Sequence, residues 1–324
     1  MKSLDSFLQQ TRLSRLTDVI LAGLIGVTLV VALASDAGAV PRNDEIPFGE
    51  GVLWRVERPG EEPSHVFGTV HLNRDDILAV PESVKKALAG SRSAAFEVKM
   101  DDRTVEKMGA AYFTFGRKTL DALIGPDLFA EVVEAGEPYG FSVHFVRHLQ
   151  PWAIYLFYGK APSVVEDEED EDGKPILDDW LYEQAEEKGI PTFGLEPVRQ
   201  HFSPFMDLPL ESQKQLVVAT LEQMDIDQTE VERRHAEFVR RYLNGEIAAI
   251  MSERFDGVSE EHMPVFKDLY RRLLEDRNHL MVERMMPRLK AGKAFVAVGA
   301  GHLPGNEGIL ALLAERGYQI SRVH

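Results

Sequence analysis

The 324-residue sequence contains no cysteine. That removes disulfides, thiolate metal ligands, a cysteine nucleophile and a lipid-modified cysteine near the N-terminus. A chain without thiols also tolerates an oxidising compartment. Basic residues are in short supply: 36 Lys and Arg stand against 53 Asp and Glu, a net charge of −17. Phosphate backbones are bound by clustered Lys and Arg, so a nucleic-acid partner is not expected. Four familiar signatures are missing: Gly-x-Ser-x-Gly, His-Glu-x-x-His, the P-loop and Gly-x-Gly-x-x-Gly. Their absence argues against a serine nucleophile elbow, a helix-borne zinc pair and the usual nucleotide cradles.

Long apolar runs are scarce too. The one present is Val19 to Ala34, 16 residues interrupted only by Thr28. Lys2, Arg12 and Arg15 precede it and Ala37-Gly38-Ala39 follows it. A positive start, an apolar run and a small-residue cleavage site form the secretory signal pattern. The run is shorter than the roughly 20 residues that span a bilayer. Residues 1–39 are therefore read as a cleaved signal peptide, with an uncleaved anchor as the alternative, and residues 40–324 as the exported domain. Membrane contact is expected only through this N-terminal segment.

What remains has an ordinary globular composition, 44% hydrophobic and 27% charged, and enough length for one large domain or two small ones. "GVLWRVERPGEEPSHVFGTVHL" reads as a β-hairpin around a Gly/Pro turn. Pro81 opens a helix in which Val84, Ala87 and Leu88 fall at helical spacing. "SAAFEV" is a short strand carrying Glu97. Residues 101–160 read as helices, although "QPWAIYLFYGK" fits helix or strand. "EDEEDEDG", Glu166 to Gly173, reads as an acidic loop without the alternation of an EF-hand. Asp178 or Asp179 caps a helix that Gly189 ends. "IPTFGLE" then reads as a buried strand delivering Glu196. Residues 208–290 are helical, with breaks near Gly245, Gly257 and Pro264. "KAFVAVGAGHL" is a strand, "GNEGILALLAERG" a helix and "YQISRVH" a last strand.

Two segments near opposite ends share one plan: an apolar strand, Gly-x-x-His-Leu, a polar turn, a helix and a strand. They contain Gly68 to His71 and Gly299 to His302. With 25 Gly and 10 His in the chain, about one such tetrad is expected by chance, so the letters alone carry little. Their equivalent placement at strand ends carries more, because ligand and catalytic groups of α/β folds gather outside the carboxyl ends of strands. The expected fold is α/β: two strand–Gly-x-x-His–helix–strand half-units sharing a central cleft, with a large helical insertion between them. An internal duplication accounts for the pattern.

His71 and His302 become candidate metal ligands by that placement. Glu97 and Glu196 each follow an apolar strand, and a carboxylate buried there requires a partner. A metal ion held by two His and one or two Glu would satisfy both groups, and imidazole with carboxylate suits Zn²⁺, Mn²⁺, Fe²⁺ or Co²⁺. An ion pair to Arg277 or Arg199 would satisfy each Glu equally well.

These residues resemble the TraB/GumN family, which includes the TIKI metalloproteases and has erythromycin-esterase-like and ChaN-like proteins as more distant relations. The matching stretches are "LWRVE…VFGTVHL", "AFEV", "LYEQAEEKGIPTFGLEPVRQ", "EDRNHLM" and "FVAVGAGHLPGNEGILALLAERGYQISRV". They span nearly all of the expected mature chain in order, and point to the GumN-type secreted branch. The resemblance implies a divalent-metal-dependent peptidase with His71, His302 and Glu97 as the metal site, using Mn²⁺, Co²⁺ or Zn²⁺. Glu196 and the Arg277-Asn278 pair match further family positions. In the expected mechanism the catalytic groups are a carboxylate, Glu196 or Glu97, taking a proton from water and passing it to the leaving amine, and Arg277 holding the oxyanion or a substrate carboxylate. The implied partner is a peptide or small-molecule substrate. One departure is Lys99, where family members often carry an acid; Asp101 stands nearby. The competing expectation is a non-catalytic exported protein that binds haem or metal, or assists cell-surface polysaccharide handling.

Overall fold

The structure, a computed structural model, describes residues 46–115, 118–159, 174–224 and 228–324. The expected export segment and the acidic block at Glu166 to Gly173 lie outside the described residues. Among the described residues no helix is long and apolar enough to cross a membrane.

The chain folds around a six-stranded mixed sheet. Its strands are β1 (Leu53–Glu57), β2 (Ser64–Thr69), β3 (Ser93–Phe96), β4 (Thr192–Gly194), β5 (Ala294–Gly299) and β6 (Gln319–Arg322), in the order β4-β3-β5-β2-β1-β6. β4, β3, β5 and β2 run parallel. β1 lies antiparallel to β2, completing the expected hairpin, and antiparallel to β6 on its other side. Four parallel strands therefore present their carboxyl ends side by side.

Strand chemistry follows from burial on both faces. In β5, Phe295 and Ala297 enter one core while Ala294, Val296 and Val298 enter the other. Val66 and Phe67 of β2, and Ala95 and its neighbours Ala94 and Phe96 of β3, divide in the same way. Such strands read as near-continuous apolar runs because both faces are covered. Met281, Val282, Met285 and Leu289 of the helix Asp276–Ala291 and Ile309, Leu310, Leu312 and Leu313 of the helix Ile309–Glu315 close one face. The helices between β3 and β5 supply most of the other. "QPWAIYLFYGK" resolves as the helix Pro151–Tyr158, with Trp152 and Tyr158 fully buried.

Three expectations change in detail. The strand in "IPTFGLE" is an edge strand, and Thr192 to Gly194 are half-buried or exposed; burial begins only at Leu195 and Glu196. The helix Leu177–Glu187 has Ile176 at its N-cap, with no side-chain cap; Asp178 is engaged elsewhere. The two half-units also differ in reach: β2 and β3 flank one strand, β5, whereas β5 and β6 are separated by both β2 and β1.

The pairing of β2 with β5 sets Gly68 opposite Val298 and Thr69 opposite Gly299. The two Gly-x-x-His segments thus lie on adjacent strands, displaced by one residue. Gly68 permits the close approach of the chain after β5: a Cβ there would meet Leu303 Cδ1 at 2.8 Å and Ala300 Cα at 2.9 Å. Gly68→Ala is expected to cost about 1–3 kcal/mol, as overpacked cores do, measured by urea unfolding.

Candidate functional site

Each parallel strand delivers one polar side chain just past its carboxyl end. Across the sheet these are Glu196 after β4, Glu97 after β3, His302 after β5 and His71 after β2. The ladder continues beyond the assigned strands, with Glu196 N–H donating to the Glu97 carbonyl at 2.7 Å. This brings together residues far apart in sequence, as switch regions of parallel sheets commonly do. His71, Glu97, Arg277 and His302 line one cavity of about 100 Å³. Glu196 does not line it; its side chain is fully buried behind.

His302 is held on its Nδ1 side, 2.6 Å from Asn278 Oδ1, while Asn278 Nδ2 donates to the Glu307 carbonyl at 2.8 Å. A carbonyl can only accept, so the amide nitrogen must face Glu307 and Oδ1 must face the imidazole. Nδ1 of His302 therefore carries the proton, and the neutral ring presents a lone pair at Nε2. Nε2 lies 3.6 Å from Glu97 Oε1. Burial pushes the His302 pKa down to about 4; attraction to Glu97 opposes this and repulsion from Arg277 adds to it. A neutral ring at physiological pH is the form that binds a metal.

His71 is oriented by a carboxylate. Its Nδ1 is 2.8 Å from Asp178 Oδ2, and Asp178 Oδ1 accepts from the Thr69 hydroxyl at 2.6 Å. Burial works against a charged ring here, but the charge and hydrogen bond of Asp178 outweigh it, so the pKa is raised. Metal-ligating histidines are usually held in this way through the nitrogen that does not bind. Both Nδ1 atoms are engaged, which leaves both Nε2 atoms for other partners.

Arg277 organises the acids. Nη2 donates to Glu97 Oε2 at 2.5 Å and to Glu196 Oε2 at 2.7 Å, and lies 3.1 Å from His201 Nδ1; Nε donates to Glu196 Oε2 at 2.9 Å. Nη1 donates to the Leu273 carbonyl at 3.1 Å, inside the π-helical turn Arg271–Glu275. Arg277 thus supplies the ion pair expected for both Glu residues, whereas Arg199 pairs with Asp207 on the surface. Burial would raise the Glu97 pKa, but Arg277 and the nearby histidines hold it well below the usual range. The same contest leaves Glu196 at about 2.

His201 escaped the sequence reading. It sits at the end of the short helix Val198–His201, and the usable signal is its place five residues after Glu196 in "GLEPVRQH". Ligand atoms of Glu97, Glu196 and His201 lie within 4.8 Å of one another, a spacing that could hold a metal ion. Arg277 Nη2 already contacts all three residues, so a metal there would have to displace the guanidinium. The donor set His71, His302 and Glu97 shares that guanidinium through Glu97 Oε2, and Glu97 Oε1 accepts from the Gly299 N–H at 2.7 Å. Among the described residues only Glu97, Glu196 and His201 bring ligand atoms within 4.8 Å of one another. Lys99 and Asp101 pair with each other on the surface, and Asp101 caps the helix Asp102–Ala111; neither lines the cavity.

These shifts fix a pH dependence. The His302 pKa is depressed in the folded state, so as pH falls from 6.5 to about 4 the unfolded chain takes up a proton that the native chain does not. Native stability falls over that window, on the order of 3 kcal/mol for this group. Depression of the Glu196 pKa from 4.5 to about 2 extends the loss to lower pH. Urea unfolding of wild type and His302→Asn between pH 7 and 4 checks this: the wild-type advantage should shrink on acidification.

The fold and site define a mixed α/β protein whose histidines, acids and arginine converge at the carboxyl ends of parallel strands. The chain belongs to the TraB/PrgY/gumN family, whose model matches residues 52–322. It is 25% identical to Metalloprotease TIKI2 of Danio rerio, over 83% of this chain and 60% of that protein. It is 24% identical to Metalloprotease TIKI2 of Xenopus tropicalis, over 83% and 59%. Against Metalloprotease TIKI1 of Homo sapiens the identity is 21%, over 83% and 61%. The matched region spans about 60% of the length of these curated relatives. No solved structure matches the chain.

Proposed function

We propose that the protein is a divalent-metal-dependent hydrolase of peptides, exported by its N-terminal segment, with His71, His302 and Glu97 holding the ion. The observation that carries this reading is the facing pair at the end of β5. His302 Nε2, a lone pair by the fixed amide of Asn278, stands 3.6 Å from the ionised Glu97 Oε1. The Gly299 N–H donates to that same Oε1 at 2.7 Å and Arg277 holds Oε2, which satisfies the carboxylate but gives the His302 Nε2 lone pair no donor; a cation beside Oε1 would serve both. The outer partners Asp178 and Asn278 give each histidine the support a ligand requires. The relatives named metalloproteases support a peptide substrate.

A divalent ion at this position supplies Lewis acidity and a more acidic water. The protein's own groups do the rest. Glu97 lines the cavity and is held ionised, with Oε2 against Arg277 and Oε1 against the Gly299 N–H at 2.7 Å; a remaining carboxylate lone pair would accept a proton from water and return it to the leaving amine. Arg277 fixes the Glu97 carboxylate and sets a positive charge beside the developing oxyanion. Glu196, enclosed behind Arg277, anchors the guanidinium and does not itself meet substrate.

The test is hydrolysis of a peptide library by purified protein stripped with chelator and then supplied with Mn²⁺, Co²⁺ or Zn²⁺. Metal-restored cleavage that Glu97→Gln abolishes is the expected result. A protein that binds these ions and cleaves nothing would favour a binding role instead.

A further inference from the structure

We infer that the cavity carries a specificity socket selecting a large apolar side chain of the substrate, next to the bond that is cut. This rests on the hydrolase reading for the cut and on the cavity walls for the selection.

The cavity has two unlike walls. One is the charged row at the strand ends. The other is built by the helical insertion: Phe238 from the helix Gln228–Leu243, Ile247, Ile250 and Met251 from Ile247–Ser252, and Leu273 and Leu274 from the π-helical turn. None of these six side chains carries a hydrogen-bonding N–H or O–H. Tyr242 and Tyr270 complete the wall; the Tyr242 hydroxyl already donates to the Gly68 carbonyl at 2.9 Å, which leaves Tyr270 as the one hydroxyl on this side. A polar or charged side chain entering here would leave water and meet at most the Tyr270 hydroxyl, a loss that discriminates against it. An apolar side chain gains by the transfer.

The two walls meet at one residue of the second Gly-x-x-His segment. Gly301 is adjacent to His302, and a Cβ built on it would lie 3.5 Å from Met251 Sδ and 3.8 Å from Leu274 Cδ1. These are ordinary contact distances, so a small side chain fits without forcing the fold apart, yet it would fill the passage from the charged row into the socket. Glycine here keeps the socket open to a group bound at His71 and His302. The π-helical turn contributes twice, since Leu273 faces the socket while its carbonyl receives Arg277. Selection and chemistry therefore share one rigid element.

The experiment separates binding from turnover. N-acetyl-leucine amide and N-acetyl-phenylalanine amide are titrated by NMR against N-acetyl-glutamine amide and N-acetyl-glutamate amide. Wild type should bind the first two at least tenfold more tightly than the last two. Gly301→Val should weaken the apolar ligands at least tenfold, and Met251→Glu should remove the apolar preference. Lys99→Ala, outside the cavity, should bind the apolar amides within about threefold of wild type. Equal affinity for leucine and glutamine amides, or apolar binding unchanged by Gly301→Val in a protein with a wild-type circular dichroism spectrum, overturns the socket. Apolar binding that follows this pattern without any peptide cleavage keeps the socket and overturns only the hydrolase.

Discussion

Arg277→Met is expected to be the most damaging single substitution in the site. It leaves Glu97 and Glu196 facing each other without the cation that links them, both largely out of water. Breaking a buried pair by removing one partner typically costs about 3–5 kcal/mol, and here two acids lose the same partner. The deficit should depend on pH in a defined direction. The wild-type acids have depressed pKa values, so the stability that Arg277 contributes is present above their unfolded value near 4.5 and lost as pH falls through the folded values. Guanidinium or urea unfolding should therefore show the largest gap between wild type and variant at pH 7 and a smaller gap at pH 4. Adding Glu196→Gln to Arg277→Met should restore part of the loss, because one of the two stranded charges is gone. A deficit below about 1 kcal/mol at pH 7 would mean that water reaches the acids and that the ion-pair network is not buried.

His71→Ala and His302→Ala are expected to remove the stabilisation of the protein by added metal. A ligand that binds only the native state stabilises by about 2.7 kcal/mol at one hundred times its Kd. Wild type should show such a rise in Tm with Mn²⁺, Co²⁺ or Zn²⁺, and the two variants should not. Residues at strand ends in a cleft ordinarily contribute little to a core. The structure differs: His302 is buried and bonded to Asn278, and His71 holds Asp178. Each variant should therefore also lose about 1–3 kcal/mol without metal, the usual cost of leaving a buried partner unsatisfied. The two effects separate cleanly, since only one depends on metal concentration. Asp178→Asn should retain the metal response with affinity lowered 10–100-fold, as losing an outer partner does.

Much of this fold was legible because the informative signals are local. The β1–β2 hairpin, the apolar runs of β3 and β5 and the helix opened by Pro81 each follow from alternation or helical spacing within a few residues. Placement of His71, Glu97, His302 and Glu196 at strand ends followed from the same runs. The strand order was not legible, because nothing in "AFVAVG" states that it pairs with both "SHVFGT" and "SAAF". That pairing, which turns separate strand ends into one row, depends on long-range packing of faces that look alike in sequence. The partners around the histidines were hidden for the same reason. Asp178 sits in the first turn of a helix, where a carboxylate is ordinarily read as favouring the helix end, yet its oxygens go to Thr69 and His71 more than one hundred residues away. His201 lay on a four-residue helix too short to show a face.

The most direct test of the central claim is the absorption spectrum of the protein titrated with Co²⁺ after chelator treatment, for wild type, His302→Ala and Glu196→Gln. Coordination by His71, His302 and Glu97 predicts one cobalt per chain with visible ligand-field bands. His302→Ala should lose those bands, and Glu196→Gln should retain them, because Glu196 serves Arg277. No bands in folded wild-type protein, or bands that Glu196→Gln abolishes and His302→Ala leaves untouched, would contradict the proposed centre.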